Sequence, residues 1–221
     1  MDARRLVVVS AGLSQPSTTR LLADRITSAT LERLSALDVA TTVEVIELRD
    51  LAHDITNNLL TGFAAPKLQA ALDSLSTADG LIAVTPIFTT SYSGLFKSFL
   101  DIVEPSALTD LAVLIAATGG TERHSLALDY AVRPLFTYLH AVVVPTTVYA
   151  ASSDWGSGSG SGSGGGGAVG AAGGSAAVAS MLPERIGRAS AELAALVAAS
   201  DRSSRVSDPF ALPAGFSPSG S

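Results

Sequence analysis

Three short runs of this chain, at residues 6–10, 81–85 and 111–117, are almost wholly apolar, and each stops at a polar or glycine-rich loop. Runs of that length and composition fit strands buried on both faces of a parallel sheet. Between them the apolar residues recur at helical spacing. Pro16 and Ser17 mark a helix start, and that helix is expected to reach about Leu37, with Leu22, Ile26, Ala29, Leu34 and Leu37 sharing its buried face. A second helix is expected over 66–77, carrying Leu68, Leu72 and Leu75. A third runs from Ser93 or Gly94 to Val103, with Phe96, Phe99 and Leu100 inward and Lys97 and Asp101 as a surface pair. A fourth is expected over 122–140.

Two more strands complete the pattern. Residues 42–48 tolerate Glu44 and Glu47 and so suit a sheet edge, while residues 49–66 read as a connection. Residues 141–149 contain Pro145, which removes a ladder donor and suggests the other edge. Strands alternating with helices imply right-handed crossovers and an α/β three-layer sandwich with a five-stranded parallel sheet. With the edges so placed, the order is 2-1-3-4-5. The switch point then lies between the first and third strands, flanked by the loops at 10–19 and 85–94, with 118–121 beside them.

The net charge of −6 and pI near 4.9 argue against a nucleic-acid partner, which requires a basic face. The absence of cysteine excludes disulfides, thiolate catalysis and cysteine-ligated metals. His53, His124 and His140 lie far apart, with no metal-ligand spacing. No run is long enough for a membrane helix, and the run after Arg4 and Arg5 is too short for a signal-peptide core, so a cytoplasmic protein is expected. Residues 156–174 switch to Gly-Ser repeats and are expected to behave as a flexible tether. A final helix over 181–199 would pack Leu182, Ile186, Leu193, Leu196 and Val197 on the sheet. Residues 1–200 thus form one expected domain, and 201–221 a disordered tail.

The three loops carry the chemistry. The first offers Ser10, Ser14, Ser17, Thr18 and Thr19 around Gly12 at a helix N-terminus, a neutral cradle suited to a phosphate dianion. It lacks the lysine of a GxxxxGK[ST] loop and the GxGxxG dinucleotide fingerprint. The same residues also suit an ordinary capped loop. The second offers Pro86, Ile87 and Phe88 for apolar contact and Thr89, Thr90, Ser91, Tyr92 and Ser93 for hydrogen bonds, or else a structural turn with Phe88 and Tyr92 in the core. The third, Thr118-Gly119-Gly120, lets a flat ring approach the backbone because two residues have no side chain. Together they suggest a mononucleotide with a flat head. A phosphoacceptor site is disfavoured, because Val8-Val9-Ser10 ends without the carboxylates that would hold Mg²⁺.

The stretch Thr85-Pro86-Ile87-Phe88-Thr89-Thr90-Ser91-Tyr92-Ser93-Gly94-Leu95-Phe96-Lys97 resembles the TPxYxxSYSGxxK flavin loop of NAD(P)H-dependent FMN reductases in the flavodoxin-like superfamily. Ala117-Thr118-Gly119-Gly120, His124, Leu128-Asp129-Tyr130-Ala131 and Arg133-Pro134 are similar to that family too. The closest type supplies reduced flavin to two-component monooxygenases. The resemblance implies a flavodoxin-like fold, FMN with NADPH or NADH, and a homodimer or homotetramer in which Tyr130 occupies a subunit-packing position. It implies that Ser10, Ser17 and Thr19 hold the FMN phosphate. Pro86 to Tyr92 would line the ribityl chain and ring, and Thr118 to Gly120 the ring's far edge. Phe88 in place of tyrosine, and a first loop without the family's frequent arginine, imply looser flavin binding. Hydride transfer between stacked rings requires no side-chain acid or base, so no catalytic residue is assigned. Arg123 and His124 read as exposed loop residues, with contact to the dinucleotide phosphates as the alternative. An FMN-binding electron carrier and an FMN-dependent quinone or azo reductase are the competing functions.

Overall fold

The structure is a computed structural model that describes residues 3–155, 174–200 and 202. Its strands are β1 (Arg4–Ser10), β2 (Thr41–Glu47), β3 (Gly80–Phe88), β4 (Ser91–Tyr92), β5 (Ala112–Gly119), β6 (Val142–Val143) and β7 (Val148–Ala151). The sheet runs β2-β1-β3-β5-β6, with β7 also on β5 and β4 on β3; every pairing is parallel except β3 with β4. The α/β parallel architecture is as expected, and the count of five strands is corrected to seven.

Alternation along the central strands builds two cores. Leu6 and Val8 of β1 join Leu22 and Ile26 of α1 (Thr18–Ala36). Val7 and Val9 point the other way, toward Ile55 of α2 (Ala52–Thr61), Leu68 and Leu75 of α3 (Pro66–Ser76), Phe96 and Phe99 of α4 (Gly94–Asp101) and Phe136 of α5 (Arg133–Tyr138). The last helix, α6 (Gly174–Ala199), lies on the α1 side with Leu182, Ile186, Leu193 and Val197 inward.

Several expectations are corrected. The connection at 49–66 contains α2, which ends at Gly62 with φ +78°, a conformation only glycine adopts readily. Leu37 and Leu196 are exposed rather than buried, Leu37 because α1 has already ended there. The expected helix at 122–140 is a 3-10 turn (Glu122–His124), a π-turn (Leu128–Val132) and then α5. Pro134 has no N–H to donate back along a regular helix, and here it occupies the first turn of α5, where none is needed.

The expected fifth strand is broken into β6 and β7 around Pro145. Side chains satisfy the gap. Arg133 donates to the carbonyls of Val144 and Pro145, each at 3.2 Å, and Glu192 accepts from Thr146 N at 2.8 Å and from its hydroxyl at 2.7 Å. Helix α6 begins at Gly174 instead of 181, so Gly174 belongs to the helix rather than to the expected tether. The tether expected up to 173 and the tail beyond 200, Arg202 excepted, lie outside the described residues. Among the described residues no helix is long and apolar enough to cross a membrane, and no cluster of side chains could hold a metal.

Candidate functional site

β1 ends at Ser10, in register with Val84 of β3, and Pro86 of β3 is in register with Thr118 of β5. The carboxyl ends of three adjacent strands therefore open at one level, and the loops leaving them meet.

The first loop is shaped around Gly12. A Cβ there would come within 2.1 Å of the Ser17 hydroxyl, so the backbone can only pass this close as glycine. Ser17 caps α1, accepting from Arg20 N at 3.2 Å, and the remaining first-turn N–H groups have no partner within the helix. Ser10 is buried, and its hydroxyl has no partner among the described residues. Arg49 steadies the loop by donating to the Ser14 carbonyl at 3.2 Å.

The second loop is a hairpin. β3 continues to Phe88, turns at Thr89 and Thr90, and returns as β4, with Ile87 opposite Tyr92 and Phe88 opposite Ser91. Two of its hydroxyls have structural employment. Thr85, fully buried, accepts from Ser93 N at 3.1 Å and donates to the Pro86 carbonyl at 3.0 Å, while the Ser93 hydroxyl caps α4 by accepting from Phe96 N at 3.1 Å. Tyr92 packs toward Phe96, ring centroids 6.3 Å apart.

The third loop is fixed from below by Tyr149, whose hydroxyl donates to the Thr121 carbonyl at 2.7 Å. A Cβ on Gly119 would lie 2.0 Å from that hydroxyl, so glycine is required there by close approach. Burial, with a smaller contribution from the charge of Asp154, pushes the Tyr149 phenol above its ordinary value.

These loops enclose a cleft of about 340 Å³. Leu13, Ser14, Thr18 and Thr19 form one wall, Pro86, Ile87 and Phe88 a second, and Thr118, Gly119 and Gly120 a third; Ser152 and Trp155 close the fourth. Nine sequence-predicted residues meet here. Ser10, Ser17, Thr89, Thr90, Ser91, Tyr92 and Ser93 do not line it. Leu13, Ser152 and Trp155 escaped the sequence reading, although the rule that ligands collect at strand carboxyl ends applies equally after β7. Larger hollows lie elsewhere, about 560 Å³ beside Asp79 and Arg202, about 640 Å³ between α4 and α5 and about 620 Å³ beside Arg33 and Arg188. None of the three lies where the loops from β1, β3 and β5 converge.

None of the twelve lining residues carries a charge. Arg20, in the first turn of α1, and Arg49, which touches the first loop, are already paired. Arg20 contacts Asp24 at 2.7 Å and Glu47 at 2.6 Å, and Arg49 contacts Glu47 at 3.1 Å and Asp50 at 3.6 Å. What the cleft offers is hydroxyls, free backbone N–H groups, apolar walls and a glycine edge.

Residues 4–156, which include all four walls, match the family described as NADPH-dependent FMN reductase. The chain belongs to that family. An FMN reductase (NADPH) of Pseudomonas aeruginosa is 40% identical over 151 residues, covering 68% of this chain and 78% of the relative. An NADH-dependent FMN reductase, SfnF, of Pseudomonas fluorescens is 38% identical over 151 residues, with the same coverage of 68% and 78%. Among solved structures, an oxidoreductase from Corynebacterium diphtheriae is 42% identical, with a TM-score of 0.79 over 90% of this chain and 100% of that one. A flavodoxin from the domain Archaea shares the fold at 13% identity, with a TM-score of 0.55 over 88% of this chain and 99% of that one. The chain is thus a flavodoxin-like member of the FMN reductase family.

Proposed function

We propose that the protein reduces FMN with NADPH or NADH and releases reduced flavin to a flavin-dependent monooxygenase. The observation that carries the reading is the meeting of a helix N-terminus, a glycine edge and apolar walls in one uncharged cleft. The residues present fit FMN. Ser14, Thr18 and the first-turn N–H groups of α1 suit its phosphate, with the unpartnered Ser10 hydroxyl at the end of the adjoining strand. Pro86 to Phe88 and the Gly119–Gly120 edge suit a flat ring. Ser17 and Thr19 act by shaping the cradle, and Thr89 to Ser93 by fixing the hairpin that carries Ile87 and Phe88.

FMN held there would take a hydride at N5 from nicotinamide C4, with a single proton from solvent completing its reduction. The chain's own part is to hold the rings together and keep water from between them. No titratable side chain lines the cleft, in keeping with chemistry that asks for no protein acid or base. Phe88 stands 48% exposed at the rim, which favours a flavin that enters and leaves over one held permanently. That separates this reading from the electron carrier.

Residues 1–200 act as one domain in this reading, and the protein works in the cytoplasm. Leu126, Tyr130 and Tyr138 are each more than half exposed, and they are offered as the contact of a homodimer or homotetramer.

The test is nicotinamide oxidation with and without added FMN. Stimulation that rises with free FMN and saturates is expected; no stimulation by FMN overturns the assignment.

A further inference from the structure

Ala151, the last residue of β7, is in register with Gly119 of β5. The next residues, Ser152–Trp155, form a 3-10 turn, so this turn leaves the sheet beside the Gly119–Gly120 edge. Asp154 braces it by accepting from Ala151 N at 2.8 Å. Trp155, the chain's only tryptophan, lines the cleft while packing against the core on the α1 side. The guanidinium of Arg25 lies over its ring, 4.9 Å from the centroid. An indole held in this way offers a large apolar surface at small cost in side-chain entropy. Arg25 is on α1, below the helix turn that faces the cleft, and so ties the fourth wall to the first.

We infer that Trp155 contacts the ring system of the flavin and that Arg25 is its positioning residue. The inference rests on the cleft being a flavin site. Because the contact is to the ring, it serves riboflavin and FMN alike.

The experiment uses the full chain, with equilibrium dialysis of FMN and riboflavin and the emission of bound FMN as readouts. An indole touching an excited flavin donates an electron to it and darkens it, whereas phenylalanine does not. Bound FMN is expected to be dim in the unaltered protein and brighter in Trp155→Phe. Trp155→Ala is expected to weaken both flavins about fivefold or more, the lower end of an aromatic stacking contribution. Arg25→Ala should brighten bound FMN in part, and Arg25→Lys, which keeps a cation over the ring, should restore the dim state at unchanged melting temperature. Unchanged emission in Trp155→Phe overturns the inference. So does binding of both flavins to Trp155→Ala within about twofold of the unaltered protein, or a loss confined to FMN, which would place the indole at the phosphate. Should the alanine variant not fold, Trp155→Phe and the Arg25 pair still decide. If the unaltered protein retains neither flavin on dialysis, the flavin reading fails as well; if it retains both and Trp155 proves indifferent, only this inference fails.

Discussion

The hydroxyls of Thr19 and Thr118 lie 2.8 Å apart, both buried, and join the first turn of α1 to the end of β5. The protein therefore fixes the spacing between the helix N-terminus and the glycine edge by itself, before any ligand arrives. Thr118→Val keeps the shape but leaves the Thr19 hydroxyl buried without that partner. The expected cost is about 1–2 kcal/mol in urea unfolding, together with weaker FMN binding, since two walls of the cleft lose their common anchor. Thr118→Ser, which retains the hydroxyl, should recover most of the flavin affinity, and a titration of FMN against the three proteins checks this.

Gly119 and Tyr149 form a second constraint at the same edge. In Gly119→Ala the new Cβ must push aside a buried phenol, which breaks the hydrogen bond to Thr121. Overpacking of this kind costs about 1–3 kcal/mol, and the loop's shift should lower FMN affinity too. Combining Gly119→Ala with Tyr149→Phe removes the closest atom, so the pair should be less destabilised than the two single changes summed. A double-mutant cycle by chemical denaturation measures that coupling.

Much of this arrangement was readable from the residues. The strands over 6–10, 81–85 and 111–117 are apolar on both faces, because helices cover both sides of the sheet, and a continuous apolar run has few other destinations. The positions of three cleft walls followed from where those runs stop. Side-chain employment did not follow. Ser93 and Ser17 stand at helix starts in the sequence, where a hydroxyl suits a cap as well as a ligand, and in the structure they cap α4 and α1. Nothing local distinguishes a cap from a ligand contact when both want a hydroxyl at a helix start. The α2 helix was missed because it buries only Ile55 and carries Asn57-Asn58 and Thr61-Gly62, pairs that read as a connection. Trp155 was missed because it follows its strand on an irregular turn, just before a glycine-rich run that draws attention away from it.

The hairpin between β3 and β4 uses Thr89 and Thr90 at φ +48° and +69°. Two consecutive positive values are the mark of the tight turn that favours Asn-Gly, and β-branched residues adopt them only under strain. Both threonines are exposed and neither lines the cleft. Replacing them together, Thr89→Asn with Thr90→Gly, is expected to stabilise the protein by about 1–2 kcal/mol. FMN affinity should stay within error, because the hairpin register that carries Ile87 and Phe88 is kept. A thermal melt and an FMN titration on the same sample separate the two effects.

Tyr149 also gives the fold a pH dependence whose sign is fixed. Burial, with the nearby charge of Asp154 adding to it, raises the phenol above its ordinary value of 10.0 in the folded chain. Below that value the phenol is protonated both folded and unfolded, so it contributes no pH dependence there. As pH rises past it, the unfolded chain releases the proton while the folded chain retains it, and stability falls until the folded phenol ionises in turn. Urea unfolding followed from neutral pH to above pH 10 should therefore show a declining alkaline limb, with 10.0 as the ordinary phenol value it starts from. Tyr149→Phe, which has no proton to lose, should flatten that limb while lowering stability at neutral pH through the lost bond to Thr121. A limb equally steep in the phenylalanine variant would mean that other groups carry the alkaline sensitivity and that the phenol ionises as readily folded as unfolded.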